Sequence, residues 1–439
     1  MLYKILKLLI NLGINLYYSE IKIRKRELLE HNGAMIIIAN HPNTLIDAWL
    51  LGIIAPKPIY YMTKATFFNS KWKMKLLRSL NMIPVNRATE AKTEGVNNNA
   101  TLEECYKLLS EGKTLVIFPE GNSQMELFLR QLKSGTARIA LESEFRNDGK
   151  LNLKVVPVGL IYTEGNKFRS SILVNCGEGI GVTQYLEEYQ VNSAGASRKL
   201  TDVFRSLLEG VLVTTQSKEQ EELILSLNEN LQSRYLENSG NVESEVELMK
   251  SIRDRVEFLS LQDPNRLKQI QQILSNLNWK TEIMEIKNDF LDRGIRSGMF
   301  IRQIITSIIG IIIGFPFFIF GLIHNIIPFK LTDFIIPKLT ASKEFYAPLA
   351  ILIGLIIYPL NYTFFAIFSF FTFDFNWILL LIYCISMPLL GMFAYWFSKY
   401  LTHTWFKLNY IFLILKNRET VVRMKMQRKR MFELLFDEN

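Results

Sequence analysis

Two residues near the start of the chain have the types and spacing for acyl transfer to a hydroxyl. They are His41 and Asp47, in the stretch AMIIIANHPNTLIDAWLL (residues 34–51). An apolar run ends at Asn40–His41, and Pro42 biases His41 toward an extended backbone outside any helix. Thr44 and Asp47 form a Thr-x-x-Asp pair of the capping-box kind, which predicts Asp47 in the first turn of a following helix. A carboxylate there can turn back toward the imidazole. An imidazole within reach of a hydroxyl takes its proton as the oxygen attacks a carbonyl. A carboxylate on the other ring nitrogen fixes the tautomer and stabilises the imidazolium that forms. The same residues admit a plainer reading, with Asp47 only capping its helix and His41 a polar loop residue.

Other short blocks carry charge to the ends of apolar runs. NMIPVNR puts Arg87 just beyond a strand end, where a guanidinium can hold a phosphate bidentately. IFPEGNS places Glu120 and Gly121 after a buried strand, with Gly121 permitting a tight turn beside a ligand. QLKSGTARIAL sets Lys133 and Arg138 around a helix start, a region favourable to anions. Lys64, in MTKATFF, closes another strand. Other chemistries lack their residues. Cys105, Cys176 and Cys384 are scattered and the four histidines lie far apart, so neither a disulfide framework nor a metal site is expected. CGEGIG lacks the rest of a dinucleotide fingerprint, and there is no G-x-S-x-G elbow.

The elements that must position these residues follow from periodicity. AMIIIAN, KPIYYMT, TLVIFPE, KVVPVGLIY and SSILVNC read as strands. DAWLLGII, KWKMKLLRSL, ATLEECYKLLSEG and GTARIALES between them read as helices. This alternation predicts an α/β domain, a largely parallel sheet flanked by helices, over residues 33–185. Ligands of such sheets lie beyond the strands' carboxyl ends, where the charged blocks converge. Residues 1–32 read as an interfacial helix with a basic linker. Residues 186–296 read as a helical domain, 297–415 as a membrane domain, and 416–439 as a basic cytoplasmic tail.

Hydrophobic residues make up 49% of the 439 and charged residues only 21%, and the excess is concentrated. Residues 303–329, 345–373 and 375–398 hold no Asp, Glu, Lys or Arg. Each run exceeds the roughly 20 residues that span a bilayer, so a wholly soluble protein is excluded. The net charge of +9 fits cytoplasmic flanks and contact with anionic headgroups, and no nucleic-acid motif accompanies it. No cleavage site follows the first apolar stretch, so a removable signal peptide is not expected. Basic residues flank the first apolar run on both sides, and Pro316 lies near its middle. This predicts a re-entrant hairpin at 303–329 with spans only at 345–373 and 375–398.

Four ordered blocks, ANHPNTLID, MIPVNR, IFPEGNS and VVPVGLIY, resemble the PlsC-type glycerolipid acyltransferases, also called the phospholipid/glycerol acyltransferase family. They lie within residues 36–162, about a third of the chain. FPEGNSQMELFLRQLKSGTARIAL is similar to the branch with glycerol-3-phosphate and dihydroxyacetone-phosphate acyltransferases. The resemblance implies transfer of a fatty acyl group from acyl-CoA or acyl carrier protein to glycerol-3-phosphate in phospholipid synthesis, with no cofactor and no metal. It implies His41 as general base, Asp47 as its orienting partner, and Arg87, Glu120 and Gly121 in acceptor binding. Asn40, Arg130, Lys133 and Lys64 complete the expected substrate-binding set. Two departures stand out. Five residues rather than four separate His41 from Asp47, and Asn122-Ser123 replaces the usual Thr-Arg after FPEG. Arg130 and Lys133 are the candidates to supply the phosphate contact of that missing arginine. A lysophosphatidate or other lysophospholipid acceptor needs the same residues. A catalytically dead lipid-binding protein on the same scaffold is the reading from outside enzymology. The expected partners are membrane lipids, the acyl donor and the acceptor, with the catalytic domain on the cytoplasmic face.

Overall fold

The run MIIIA at residues 35–39 is buried along its whole length, with none of the alternation of a half-exposed strand. Such a strand belongs at the centre of a sheet covered on both faces. The computed structural model, which describes residues 2–86, 98–235, 241–292, 297–373 and 375–437, places it there. Residues 1–218 with 342–351 form one compact unit, and residues 219–341 with 352–439 form another.

The first unit opens with helix α1 (Leu2–Tyr17) and strand β1 (Glu20–Arg24). Then come β2 (Met35–Ala39), α2 (Thr44–Ile54), β3 (Ile59–Lys64), α3 (Lys71–Ser79) and β4 (Met82–Val85). The chain continues through α4 (Asn98–Ser110), β5 (Thr114–Ile117), α5 (Gly135–Arg146), β6 (Lys154–Tyr162), β7 (Ser171–Cys176) and β8 (Ile180–Gly181). Strand order is β1-β7-β6-β2-β5-β3-β4, with β8 paired to β6. β6, β2, β5, β3 and β4 are mutually parallel, while β7 runs antiparallel to β6 and β1 parallel to β7. The largely parallel sheet flanked by helices is thus present, with an edge the sequence reading did not contain. The segment expected as a basic linker holds β1, whose Ile21 and Ile23 alternate with charged residues as an edge strand allows.

Right-handed crossovers decide which helix covers which face. The connections through α2 and α3 step the same way across the sheet, so both helices lie on one face, and α1 packs on α2. Those through α4 and α5 step back, and these two pack together on the other face. All five parallel strands therefore end at one edge. Helices α6 (Leu186–Val191) and α7 (Ser193–Val211) also belong to this unit. α7 packs on α5 and β6, and Asn175 Nδ2 donates to the Val211 carbonyl at 2.9 Å. The unit thus extends past residue 185, where sequence periodicity puts its end.

The second unit holds α8 (Lys218–Tyr235), α9 (Val242–Gln262), α10 (Pro264–Ile283) and α11 (Asn288–Asp292). Three long helices follow: α12 (Ser297–Leu339), α13 (Tyr346–Phe373) and α14 (Trp377–Phe436). Among the described residues, three helices are long and apolar enough to cross a membrane, over Ile304–Leu339, Lys343–Phe373 and Trp377–Phe436. The expected hairpin at 303–329 is absent. α12 is one continuous helix of 43 residues that passes through Pro316, roughly 64 Å long at the standard rise. Pro316 removes one amide donor, whereas a reversal in apolar surroundings would free several groups with no water to satisfy them. Instead α12 packs against α14. At Gly321 an added Cβ would collide with the Leu390 carbonyl, so this glycine sets how closely the two helices approach. Asn325 Nδ2 donates to the Met387 carbonyl at 3.1 Å. α14 breaks at Asn417 (φ −150°, ψ 70°), whose side chain accepts from the Thr420 amide at 3.2 Å to restart the helix.

Candidate active site

β2 delivers the chain to Asn40 and His41 at the shared carboxyl edge. Asn40 extends the ladder with its side chain. Its Nδ2 donates to the Leu160 carbonyl at 2.9 Å, and its Oδ1 accepts from the Leu160 amide at 2.8 Å. Its amide is therefore committed to β6, holding His41 at a fixed height above the sheet. The His41 ring stacks on Phe118, which follows β5, at 3.9 Å between centroids and 10° between planes.

His41 Nδ1 lies 2.8 Å from Asp47 Oδ2. Asp47 is fully buried, while the His41 side chain retains 16% exposure. Two further donors hold the carboxylate. The Asn43 amide donates to Oδ2 at 2.7 Å, and the Tyr162 hydroxyl, at the end of β6, donates to Oδ1 at 2.6 Å. Burial, and then the Asp47 charge, push the Tyr162 phenol well above its ordinary value, so it stays a proton donor. With Asp47 ionised, Nδ1 carries the proton and Nε2 presents its lone pair. Tyr18 supports the same cluster: its hydroxyl accepts from Asn43 Nδ2 at 2.9 Å and donates to the Gly165 carbonyl at 3.0 Å. Tyr18, Tyr162 and Phe118 were missed by sequence reasoning. Tyr162 lies within a block quoted for its strand, and sheet order alone brings it to Asp47.

The capping geometry differs from the sequence expectation. Asn43, not Thr44, is the cap residue of α2, and Asp47 reaches back to its amide. Asp47 thus both caps the helix and orients the imidazole, so the two readings are not exclusive. Thr44 sits at φ +39°, a conformation uncommon for a β-branched residue, inside the stretch that carries the extra residue. Its amide donates to Ser123 Oγ at 3.0 Å and its hydroxyl to the Glu344 carbonyl at 2.8 Å. Ser123 is one of the residues that departs from the usual block, so here the two departures meet.

Glu120 is turned inward. Its Oε1 accepts from the His41 amide at 3.2 Å and its Oε2 from the Arg130 amide at 3.3 Å. Burial raises its carboxyl above the ordinary range, opposed by those two amides and by the charges of His41 and Arg130. The Gln124 amide donates to the His41 carbonyl at 3.0 Å, closing the two loops on each other. Gly121 turns at φ +76°, and the Lys133 ammonium lies where a Cβ would stand. Arg130 pairs with Glu126 at 3.0 Å. Arg138 is exposed on the first turn of α5. Lys64 is the last residue of β3, in register with Val85 at the end of β4, on the same edge. Arg87 lies outside the described residues. Asn86 before it is closed onto α4 by Asn98, whose Oδ1 accepts at 2.9 Å and whose Nδ2 donates at 2.8 Å. The structure thus brings His41, Asp47, Asn40, Glu120 and Arg130 into one bonded cluster, with Gly121 and Lys133 beside it. Lys64 is placed at the same edge by the end of β3.

A family model described as Acyltransferase matches residues 20–161. Glycerol-3-phosphate O-acyltransferase 1 of Saccharomyces cerevisiae is 30% identical over 127 residues, which are 28% of this chain and 17% of that protein. Glycerol-3-phosphate O-acyltransferase 2 of the same yeast is 36% identical over 98 residues, 22% of this chain and 13% of that protein. The chain therefore spans less than a fifth of the length of these relatives. Among solved structures, the 1-acyl-sn-glycerophosphate (LPA) acyltransferase PlsC from Thermotoga maritima aligns with a TM-score of 0.35 and 17% identity, over 48% of this chain and 78% of that one. The family match begins at β1 and runs to residue 161, one short of the end of β6, so it takes in the His41–Asp47 pair. Residues 20–161 of this chain are an acyltransferase domain.

Proposed function

We propose that this chain is a membrane-bound O-acyltransferase that moves a fatty acyl group from acyl-CoA or acyl carrier protein to the hydroxyl of glycerol-3-phosphate. The observation that carries the reading is the 2.8 Å pair of His41 Nδ1 with a buried Asp47, whose other oxygen is held by Tyr162. The acceptor is chosen on the two yeast relatives named glycerol-3-phosphate O-acyltransferases.

His41 Nε2 takes the proton of the acceptor hydroxyl as its oxygen attacks the thioester carbonyl. Asp47 stabilises the imidazolium that forms. Collapse of the tetrahedral intermediate breaks the carbon–sulfur bond, and the imidazolium returns its proton to the departing thiolate. Ester and free thiol leave, with no covalent acyl-enzyme. Asn40 and Glu120 fix the backbone of His41 rather than touch substrate. Arg87 and Lys133 are assigned to the acceptor phosphate, with Lys64 and Arg130 further along the same rim.

The catalytic unit is assigned to the cytoplasmic face, on the excess of basic residues flanking the apolar helices.

The test offers the purified full chain glycerol-3-phosphate, lysophosphatidate and lysophosphatidylcholine in competition, with one labelled acyl-CoA. Labelled lysophosphatidate as the main product supports the reading. Labelled phosphatidate, formed with no lysophosphatidate intermediate, would move the acceptor to a lysophospholipid.

A further inference from the structure

None of the nine residues of helix α3, KWKMKLLRS, is buried. Trp72 is 65% exposed, and Phe67, in the short turn just before the helix, is 47% exposed. Lys71, Lys73 and Lys75 stand beside them, with the Lys73 ammonium 5.7 Å from the centre of the Trp72 ring. The charge around this patch is one-sided. Between Asp47 and Glu90 the chain has seven Lys or Arg and no Asp or Glu. Leaving a tryptophan and a phenylalanine in water costs hydrophobic free energy, and nothing in the packing of α3 requires them to be there.

The fold extends the patch. α3 lies on the same sheet face as α2 and α1, and α1 buries Ile14 and Tyr17 while exposing Leu8, Leu12 and Leu16. That spacing puts the three leucines in one row along the helix. The opposite face is closed by α4, α5 and α7. Basic side chains interleaved with exposed aromatics are the composition of a surface that sits at an anionic lipid interface, aromatics at headgroup depth and ammonium groups on phosphates.

We propose that residues 65–79 dock the catalytic unit on an anionic bilayer surface, with Trp72 and Phe67 entering the interface and Lys71, Lys73 and Lys75 on lipid phosphates. A purely basic patch would fit an acidic protein equally well, and the two exposed aromatics select lipid. Docking here lays the β3 and β4 carboxyl ends, with Lys64, along the headgroup plane. This goes beyond the proposed reaction and holds whichever hydroxyl is acylated.

The test uses the full chain in vesicles of phosphatidylcholine with or without phosphatidylglycerol, with lipid-borne and aqueous quenchers. An environment-sensitive fluorophore is placed at Trp72→Cys, and separately at Phe67→Cys, in a Cys384→Ala background. Cys105 and Cys176 are buried, and burial pushes their thiols up to about 12, so they do not compete for label. Lys107→Cys on α4 is the control on the other sheet face. The labels at 67 and 72 are expected to be quenched by shallow lipid quenchers in anionic vesicles, and the label at 107 only by aqueous acrylamide. Neutralising Lys71, Lys73 and Lys75 to Gln should weaken docking about a hundredfold, since each basic residue near an anionic surface contributes about fivefold. Lipid quenching at 72 should then fall to its level in neutral vesicles. Acrylamide quenching at 67 and 72 in anionic vesicles, without lipid quenching, would overturn the proposal. So would shielding of these labels by an acidic acyl carrier protein but not by anionic lipid. None of these readouts depends on turnover, so loss of the acyltransferase reading leaves them intact.

Discussion

At the scale of single residues, the state of Asp47 decides what His41 can do. Its two oxygens accept from three donors, so the carboxylate is held in one rotamer, and the imidazole is held in one tautomer by it. Asp47→Asn keeps the size but presents an amide that can pair with Nδ1 only in the wrong tautomer. The expected loss in kcat is about 10⁴-fold, the size of the effect of the same change in a serine-protease triad. Steady-state kinetics with an unchanged circular dichroism spectrum would separate this from lost capping. Tyr162→Phe removes one charge-assisted hydrogen bond, worth roughly 1.5–3 kcal/mol, so kcat should fall about ten- to a hundredfold with little change in either KM. A merely structural tyrosine would instead lower the melting temperature and leave kcat near that of the unsubstituted chain. His41 and Asp47 were legible from type and spacing, because both sit in one short stretch. Tyr162 and Tyr18 were not. They are 115 and 25 or more residues away from their partners, and only strand order joins them.

At the scale of elements, the apolar strands announced themselves through unbroken β-branched runs, since a strand buried on both faces has no polar side to show. β1 did not, because its charged positions at Glu20, Lys22 and Arg24 look like a linker until β7 supplies a partner. The hairpin expected at Pro316 failed for an energetic reason: one lost helical bond costs less than the several a reversal would expose. The C-terminal part of α14 is held by contacts that composition could not reveal. Arg428 is buried against Asp292 at 2.9 Å, bonds Ser233 Oγ at 2.9 Å, and donates to the Asn230 and Asn288 carbonyls. Arg255 and Arg266 take the last carbonyls of α14, at Leu435 and Leu434. Removing one partner of a buried pair costs roughly 3–5 kcal/mol, so Arg428→Ala should lower the melting temperature by several degrees. Pairing Arg428→Met with Asp292→Leu should recover much of that loss, and thermal unfolding of the two variants in detergent measures it. Equal destabilisation by both would mean that the carbonyl bonds, not the ion pair, hold the segment.

At the scale of the whole molecule, the cytoplasmic assignment of the catalytic unit is tested on that unit itself. A cysteine at Lys107, exposed on α4, should stay unlabelled by an impermeant thiol reagent in intact cells and react after permeabilisation. Labelling of position 107 in intact cells would contradict that assignment. The account as a whole rests on direct transfer through His41. Its plainest test is the full-length His41→Gln variant in lipid nanodiscs, assayed for labelled lysophosphatidate from acyl-CoA and glycerol-3-phosphate. The account predicts no product above background, from a protein that melts within a few degrees of the unsubstituted chain. Product formed at the unsubstituted rate would contradict it.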